Sequence, residues 1–145
     1  MTKSPADSSR APLIKMGGVG LNVADMQRSE KFYVEIVGLK VAIRMPFDGP
    51  PIEIALSVSG DLMGGDPFVV LANLGETPNA GCAGFGRVII NTTDAAAIAR
   101  RATDAGFAAR SFSAPGLEGR PVFFLTDPDG YQIELYQASE QEAKY

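Results

Sequence analysis

Residues 19–25 read VGLNVAD and residues 88–94 read VIINTTD, so one short pattern occurs twice in the chain. Each copy is a strand-like apolar run that ends in an Asp suited to cap a helix. A helical apolar stripe follows each Asp, over residues 26–37 and 95–105, and a Gly then ends it. The repeat therefore predicts two copies of one strand–helix unit.

Three further strands are predicted after each helix, because short apolar segments there alternate with turn residues. They are residues 40–45, 52–58 and 67–73 in the first half, and residues 107–112, 120–125 and 131–137 in the second. The order βαβββ, present twice, predicts an α+β fold of two modules. One helix cannot cover both faces of a sheet, so we expect cupped mixed sheets around a central cavity.

This order divides the chain into five predicted segments. They are a flexible N-terminal tail (1–12), a first module (13–73), a linker (74–84), a second module (85–137) and a C-terminal tail (138–145). The N-terminal tail lacks the apolar stretch of a signal peptide, and every apolar run is too short to span a bilayer. A cytoplasmic location is therefore expected.

The composition excludes several kinds of site. The 145 residues contain no His and one Cys, which excludes histidine-based catalysis, imidazole metal ligands, an intrachain disulfide and a Cys-rich zinc site. Thirteen Lys and Arg against seventeen Asp and Glu give a net charge of −4, and the basic residues are scattered. We therefore expect neither nucleic-acid nor membrane binding, and a small molecule as the partner.

Two motifs resemble the vicinal oxygen chelate superfamily, which contains glyoxalases, bleomycin-resistance proteins and extradiol dioxygenases. The first is NVADMQRS at residues 22–29, followed by FY at 32–33 and VGL at 37–39. The second, DPDGYQIEL at residues 127–135, is similar to the closing strand of that family. The resemblance extends over about residues 14–137 and implies the same fold of two modules.

In metal-dependent members of that family, four side chains that project from the two sheets hold a divalent ion. The resemblance places these positions at Gly18, Val70, Arg87 and Glu134. Only Glu134 has a ligating side chain, and one carboxylate cannot hold an ion that needs three or more protein ligands. The resemblance therefore implies a member without the usual metal ligands, and we predict no cofactor.

Side chains alternate along a strand, so the resemblance also implies which residues line the cavity. The predicted substrate-binding residues are Asn22, Phe68, Val70, Ile89, Asn91, Gln132, Tyr136 and Arg120. Arg120 could reach the anionic end of a ligand, although a solvated position at the rim is the favoured interpretation. Gly18 and Gly20 are expected to leave room for an organic molecule.

Glu134 and Arg87 are the predicted catalytic residues. In the leading hypothesis, Glu134 moves a proton next to a carbonyl of a small, largely apolar carbonyl-containing or anionic molecule. Arg87 stabilises the developing oxyanion, which makes the protein a metal-independent lyase or isomerase. In the structural alternative, the two charges only neutralise each other.

Two other functions stay open at this point. The protein could be a non-catalytic small-molecule or drug-binding protein, like the bleomycin-resistance members. It could also be a metal-dependent glyoxalase or dioxygenase with displaced ligands, for which Glu53, Asp66 or Cys82 would have to be recruited. Each of the three functions is compatible with the homodimer that we expect from the fold.

Overall fold

The computed structural model describes residues 17–75, 77–79, 85–113 and 119–138. The predicted N-terminal tail, Cys82 in the linker and residues 139–145 of the C-terminal tail lie outside the described residues. The division of the chain into tails, modules and linker therefore stays a prediction.

Eight strands and two helical segments make up the described fold. The first half contains β1 (Gly18–Asn22), α1 (Met26–Lys31) with a π-helical continuation (Phe32–Val37), β2 (Lys40–Met45), β3 (Glu53–Ser57) and β4 (Phe68–Ala72). The second half contains β5 (Val88–Thr92), α2 (Ala95–Asp104), β6 (Ala109–Phe112), β7 (Val122–Thr126) and β8 (Gln132–Gln137). The predicted order of elements is confirmed, with strand ends that differ by up to two residues.

The strands form two four-stranded sheets of the same topology. Their orders are β1-β4-β3-β2 and β5-β8-β7-β6, and the first pair of each sheet is parallel while the other pairs are antiparallel. The α+β prediction of two βαβββ modules with mixed sheets is therefore confirmed. None of the helices in the described part is long and apolar enough to cross a membrane.

The ends of the helices follow the capping signals in the sequence. Asp25 and Asp94 each accept a hydrogen bond from the backbone N–H three residues later, at 2.9 Å and 3.0 Å. Gly38 and Gly106 adopt left-handed conformations, with φ of 97° and 86°, at the ends of the two helical segments. Local capping signals therefore determine where both helical segments begin and end.

The first helical segment differs from the prediction of one α-helix over residues 26–37. After Lys31 the chain continues as a π-helix, in which the N–H of Gly38 donates to the carbonyl of Tyr33 five residues earlier. Its buried residues are Phe32, Tyr33, Ile36 and Val37. An i→i+5 turn brings these four positions closer to one face than an α-helix does, and apolar spacing does not separate the two helix types.

The hydrophobic core lies between each helix and its sheet and continues from one module into the other. Its central residues include Leu71 and Ile54 in the first sheet and Ile133 and Leu135 in the second. The ring of Phe32 packs edge-to-face on that of Phe107, with 4.9 Å between centroids, and links the helix of the first module to the second.

The turn that precedes β8 binds the helix of the first module. Tyr33 donates a hydrogen bond to Asp127 at 2.8 Å, and the hydroxyl of Ser29 and the N–H of Ala24 donate to Asp129 at 3.1 Å. These two aspartates therefore join the two modules. Tyr33 is buried, as expected for a residue of the helix core.

Candidate functional site

The second sheet has one face on α2 and one face that points away from it. Along β8, Ile133 and Leu135 are fully buried toward the helix, while Gln132, Glu134 and Tyr136 are only half-buried on the opposite face. The predicted alternation is thus present. We call the side of β5–β8 that points away from α2 the open face.

Arg87 and Glu134 meet on the open face as an ion pair. The Nε–H of Arg87 donates a hydrogen bond to Oε2 of Glu134. The side chain of Arg87 is 46% exposed and that of Glu134 is 15% exposed, so the carboxylate lies deeper than the guanidinium. Within the described residues, the two terminal nitrogens of Arg87 have no hydrogen-bond acceptor.

An aromatic cluster adjoins this pair on β6 and β7. Phe124 lies directly across from Glu134, and Arg110 lies across from Phe124 on the other side. The guanidinium of Arg110 stacks 4.3 Å from the centroid of the Phe124 ring, and that of Arg87 is 5.8 Å from it. The ring of Phe112 meets that of Phe124 edge-to-face at 5.9 Å.

The sequence analysis missed Arg110, Phe112 and Phe124 as members of the site. Strand alternation places Arg110 and Phe112 on one face of β6, but this pattern does not say which face. The cross-strand register with Glu134 supplies that information, and it depends on the long-range pairing of β7 with β8.

The predicted residues Arg120, Tyr136 and Gln132 also reach the open face. Arg120 donates a hydrogen bond from Nη1 to the hydroxyl of Tyr136 at 2.9 Å. The amide of Gln132 donates to the hydroxyl of Thr126 at 2.9 Å. Arg120 is exposed, as a rim residue should be, yet it contacts a side chain predicted to bind substrate.

Two further predicted residues complete this face along β5. Ile89 pairs with Glu134 and Asn91 pairs with Tyr136 in the parallel register. Ile89 is an exposed large hydrophobic residue, and Asn91 is also exposed. The structure therefore places both side chains on the open face rather than in the core.

The open face is basic although the chain is acidic. Arg87, Arg110 and Arg120 contribute three positive charges and Glu134 one negative charge, which leaves +2 on the described part of this face. The whole chain carries −4. The charges in the described part of this face therefore favour an anion over a cation.

The other predicted residues lie on the first sheet. Asn22, Phe68 and Val70 are half-buried on its face away from α1, because Leu21, Val69 and Leu71 are buried toward the helix. The register pairs Gly20 with Val70, so this face has a small residue beside a branched one.

The expectation for Gly18 is wrong. A Cβ atom at Gly18 would lie 1.9 Å from the carbonyl oxygen of Phe68, whereas a Cβ atom at Gly20 would have no heavy atom within 4 Å. Gly18 pairs with Phe68 in the parallel β1–β4 register, and its φ of 153° brings the two backbones close together. Gly20 leaves open space, but Gly18 is needed for strand packing.

The side chains at the family's metal positions do not fit a metal ion. Gly18 and Val70 offer no donor, and Arg87 occupies one oxygen of Glu134. In the described residues, no group of three or more Asp, Glu, His or Cys side chains could hold a metal ion. Asp66, one of the recruited ligands considered above, accepts a hydrogen bond from the N–H of Ser59 at 2.8 Å.

Comparison with known proteins agrees with this architecture. Residues 15–135 match the model of the Glyoxalase/Bleomycin resistance protein/Dioxygenase superfamily. A curated protein of Vibrio parahaemolyticus, named probable lactoylglutathione lyase, is 29% identical over 124 residues, which are 85% of this chain and 90% of that protein.

Two solved structures share the fold at low identity. Glyoxalase I of Leishmania major, described as trypanothione-dependent, has a TM-score of 0.68 and 23% identity over 91% of this chain and 92% of its own. TnmS3 of Streptomyces sp. CB03234, an antibiotic binding protein, has a TM-score of 0.67 and 23% identity over 90% of this chain and 100% of its own. An enzyme and a binding protein thus share this architecture.

Proposed function

Since the chain belongs to the glyoxalase, bleomycin resistance protein and dioxygenase superfamily, we propose that it acts on a small organic molecule at the open face. The molecule is largely apolar and carries a carbonyl or an anionic group. The reaction is a metal-independent proton transfer next to a carbonyl, of the lyase or isomerase type. The observation that carries this proposal is the ion pair of Arg87 and Glu134.

Glu134 is the proposed general base. Its carboxylate takes a proton from the carbon next to the carbonyl, and the electron pair of the broken C–H bond forms an enolate. In an α-hydroxy carbonyl compound, the hydroxyl proton then passes to the enolate oxygen, and return of the first proton to the former carbonyl carbon gives an isomer. In a compound with a leaving group on the β carbon, expulsion of that group with the enolate electron pair gives the C=C bond of a lyase product. The proton is held on the Glu134 carboxyl, where it exchanges with solvent before its return to carbon, and no oxidant or reductant is required.

Arg87 is the proposed partner of the enolate oxygen. Its Nε–H already bonds Glu134, which fixes the guanidinium and leaves the terminal N–H groups to donate to a ligand oxygen. Charge-assisted hydrogen bonds of this kind contribute about 1.5–3 kcal/mol each. Because the negative charge grows on the enolate oxygen during proton removal, Arg87 stabilises the transition state more than the bound substrate.

Solvent deuterium tests this proposal without a known substrate. Small molecules extracted from cells are incubated with the protein in D2O and analysed by mass spectrometry. We expect a compound that gains one non-exchangeable deuterium with the wild-type protein but not with Glu134→Gln. Glu35→Gln is the matched control, because Glu35 is an exposed helix residue. Equal deuterium uptake with folded Glu134→Gln would exclude Glu134 as the base.

Non-catalytic binding is the second candidate function. It is favoured by the hydrogen bond from Arg87 to Glu134, because a carboxylate oxygen that already accepts this bond is less accessible to a substrate proton. A binding protein would retain a compound from the extract and release it unchanged, and Arg87→Met would lose that compound. A product that appears only with the wild-type protein would instead support the enzyme.

A metal-dependent reaction is the third candidate and has the least support from the donor set. We expect purified protein to contain less than one equivalent of any divalent metal per chain. One equivalent of divalent metal per chain that is lost in Glu134→Ala would support the metal-dependent hypothesis. The homodimer stays a prediction, which sedimentation of the full chain would test.

A further inference from the structure

We propose that Arg110 and Phe124 form the subsite that recognises a planar aromatic carboxylate, so that the ligand of the open face is an aryl carboxylate. This inference rests on the proposed function, because it names the ligand class of the same site. It adds two residues that neither the sequence motifs nor the ion pair identify.

The stacking of Arg110 on Phe124 is the first observation. The guanidinium carbon lies 4.3 Å from the ring centroid, well inside the roughly 6 Å range of a cation–π contact. The ring holds the planar guanidinium from one side. The opposite face of the Arg110 guanidinium can stack on a second flat group, and the N–H edges of this guanidinium can bind both oxygens of a carboxylate.

The charge balance is the second observation. Arg87 is neutralised by Glu134, and in the part of the chain that is described no carboxylate pairs with Arg110. Arg110 lies in the exposed strand β6, two positions from Phe112. A ligand anion can therefore bind Arg110 without displacing a carboxylate of the described residues.

The aromatic surroundings are the third observation. Phe112 is 44% exposed, although its ring meets that of Phe124 edge-to-face. An exposed aromatic ring beside a stacked guanidinium provides apolar contact for the body of a planar ligand. A cationic drug would meet the excess positive charge of the open face instead, which disfavours that ligand class.

Three matched probes test the two parts of this proposal. The probes are 2-naphthoate, its neutral amide 2-naphthamide, and decahydro-2-naphthoate, which keeps the carboxylate but lacks the aromatic ring. Binding to the full chain is measured by titration calorimetry. We expect 2-naphthoate to bind at least about 10-fold more tightly than either of the others. Equal affinity for the amide or the saturated acid, or no saturable binding of 2-naphthoate, would overturn the proposal.

Variants at position 110 test the role of the guanidinium. Arg110→Gln is expected to weaken 2-naphthoate binding by about 10- to 100-fold. Arg110→Lys keeps the charge but loses the planar stack, so its affinity should stay well below the wild-type value. Arg100→Gln is the control, since Arg100 is an exposed residue of α2 on the other side of the sheet. Wild-type affinity in Arg110→Gln would overturn the proposal.

The same variants separate this inference from the proposed function. If 2-naphthoate binding depends on Arg87 but not on Arg110, the site stands and the subsite is wrong. If binding depends on Arg110 while Glu134→Gln retains the deuterium uptake described above, the subsite stands and the proposed base is wrong.

Discussion

The phenol of Tyr33 in the first module donates a 2.8 Å hydrogen bond to the carboxylate of Asp127 in the second module, and both side chains are buried. The other oxygen of Asp127 accepts the N–H groups of Asp129 and Tyr131, at 2.9 Å and 2.8 Å. Asp127 thus links the first helix to the start of β8. Because β8 carries Glu134, this link helps to hold the candidate site in position.

Loss of the Tyr33 hydroxyl should destabilise the protein. Tyr33→Phe leaves a buried oxygen of Asp127 without its donor, and we expect the free energy of unfolding to fall by about 1–3 kcal/mol. Tyr136→Phe is the matched control, because in the described part of the chain the hydroxyl of Tyr136 accepts a hydrogen bond from Arg120, which is exposed. Urea unfolding measures the free energy of unfolding of both variants. Equal decreases in Tyr33→Phe and Tyr136→Phe would contradict the stabilising role of the buried Tyr33 hydroxyl.

Alkaline pH should destabilise the wild-type protein more than Tyr33→Phe. Burial, and then the charge of Asp127, raise the pKa of the Tyr33 phenol above its ordinary value of 10.0. The unfolded chain ionises this phenol near pH 10, while the folded chain keeps it protonated. The free energy of unfolding therefore falls as pH rises above about 10. Parallel pH dependences of the two proteins in urea unfolding would contradict this assignment.

Asp127 should give a pH dependence in the acid range. Desolvation by burial raises the pKa of its carboxyl above the ordinary 3.8, although the hydrogen bond from Tyr33 opposes the shift. A raised pKa stabilises the fold below pH 3.8, and this contribution is lost as pH rises through the folded-state pKa. Asp127→Asn does not titrate. The unfolding free energy of wild type minus that of Asp127→Asn should thus decrease as pH rises above about 4. A difference in unfolding free energy that increases with pH would refute the raised pKa of Asp127.

Gly18 and Gly20 should respond differently to the same substitution. Gly18→Ala places its Cβ 1.9 Å from the backbone oxygen of Phe68, and we expect it to lose about 3 kcal/mol or more of stability. Gly20→Ala enters open space and should stay within about 1 kcal/mol of wild type. Thermal unfolding compares the two variants. Similar melting temperatures would mean that β1 and β4 are not closely paired at Gly18.

The fold could be predicted because its signals are local. The caps at Asp25 and Asp94 and the glycines that end the helices depend on a few neighbouring residues. The π-helical turn at Tyr33 could not be predicted, because its apolar spacing suits an α-helix equally well, and the hydrogen bond of Tyr33 to Asp127 is a contact with the second module. The clash at Gly18 likewise depends on the position of a strand about fifty residues away in the sequence.

The candidate site could be predicted only in part. Strand alternation and the family motif place Arg87 and Glu134 together, and the structure joins them as an ion pair. Arg110 and Phe124 join the same face through the antiparallel register of β6, β7 and β8. That register is a tertiary property, so neither residue stands out in the sequence.

A crystal structure of the protein with 2-naphthoate tests the central claim most directly, namely that the open face of the second sheet is the ligand site. We predict ligand density on this face, with the carboxylate within hydrogen-bond distance of the guanidinium of Arg110 or of the terminal nitrogens of Arg87. The competing cavity lies on the other side of the sheet, between α2 and β6, where Ala99 and Phe123 line it. Ligand density in that cavity, with none on the open face, would contradict the account.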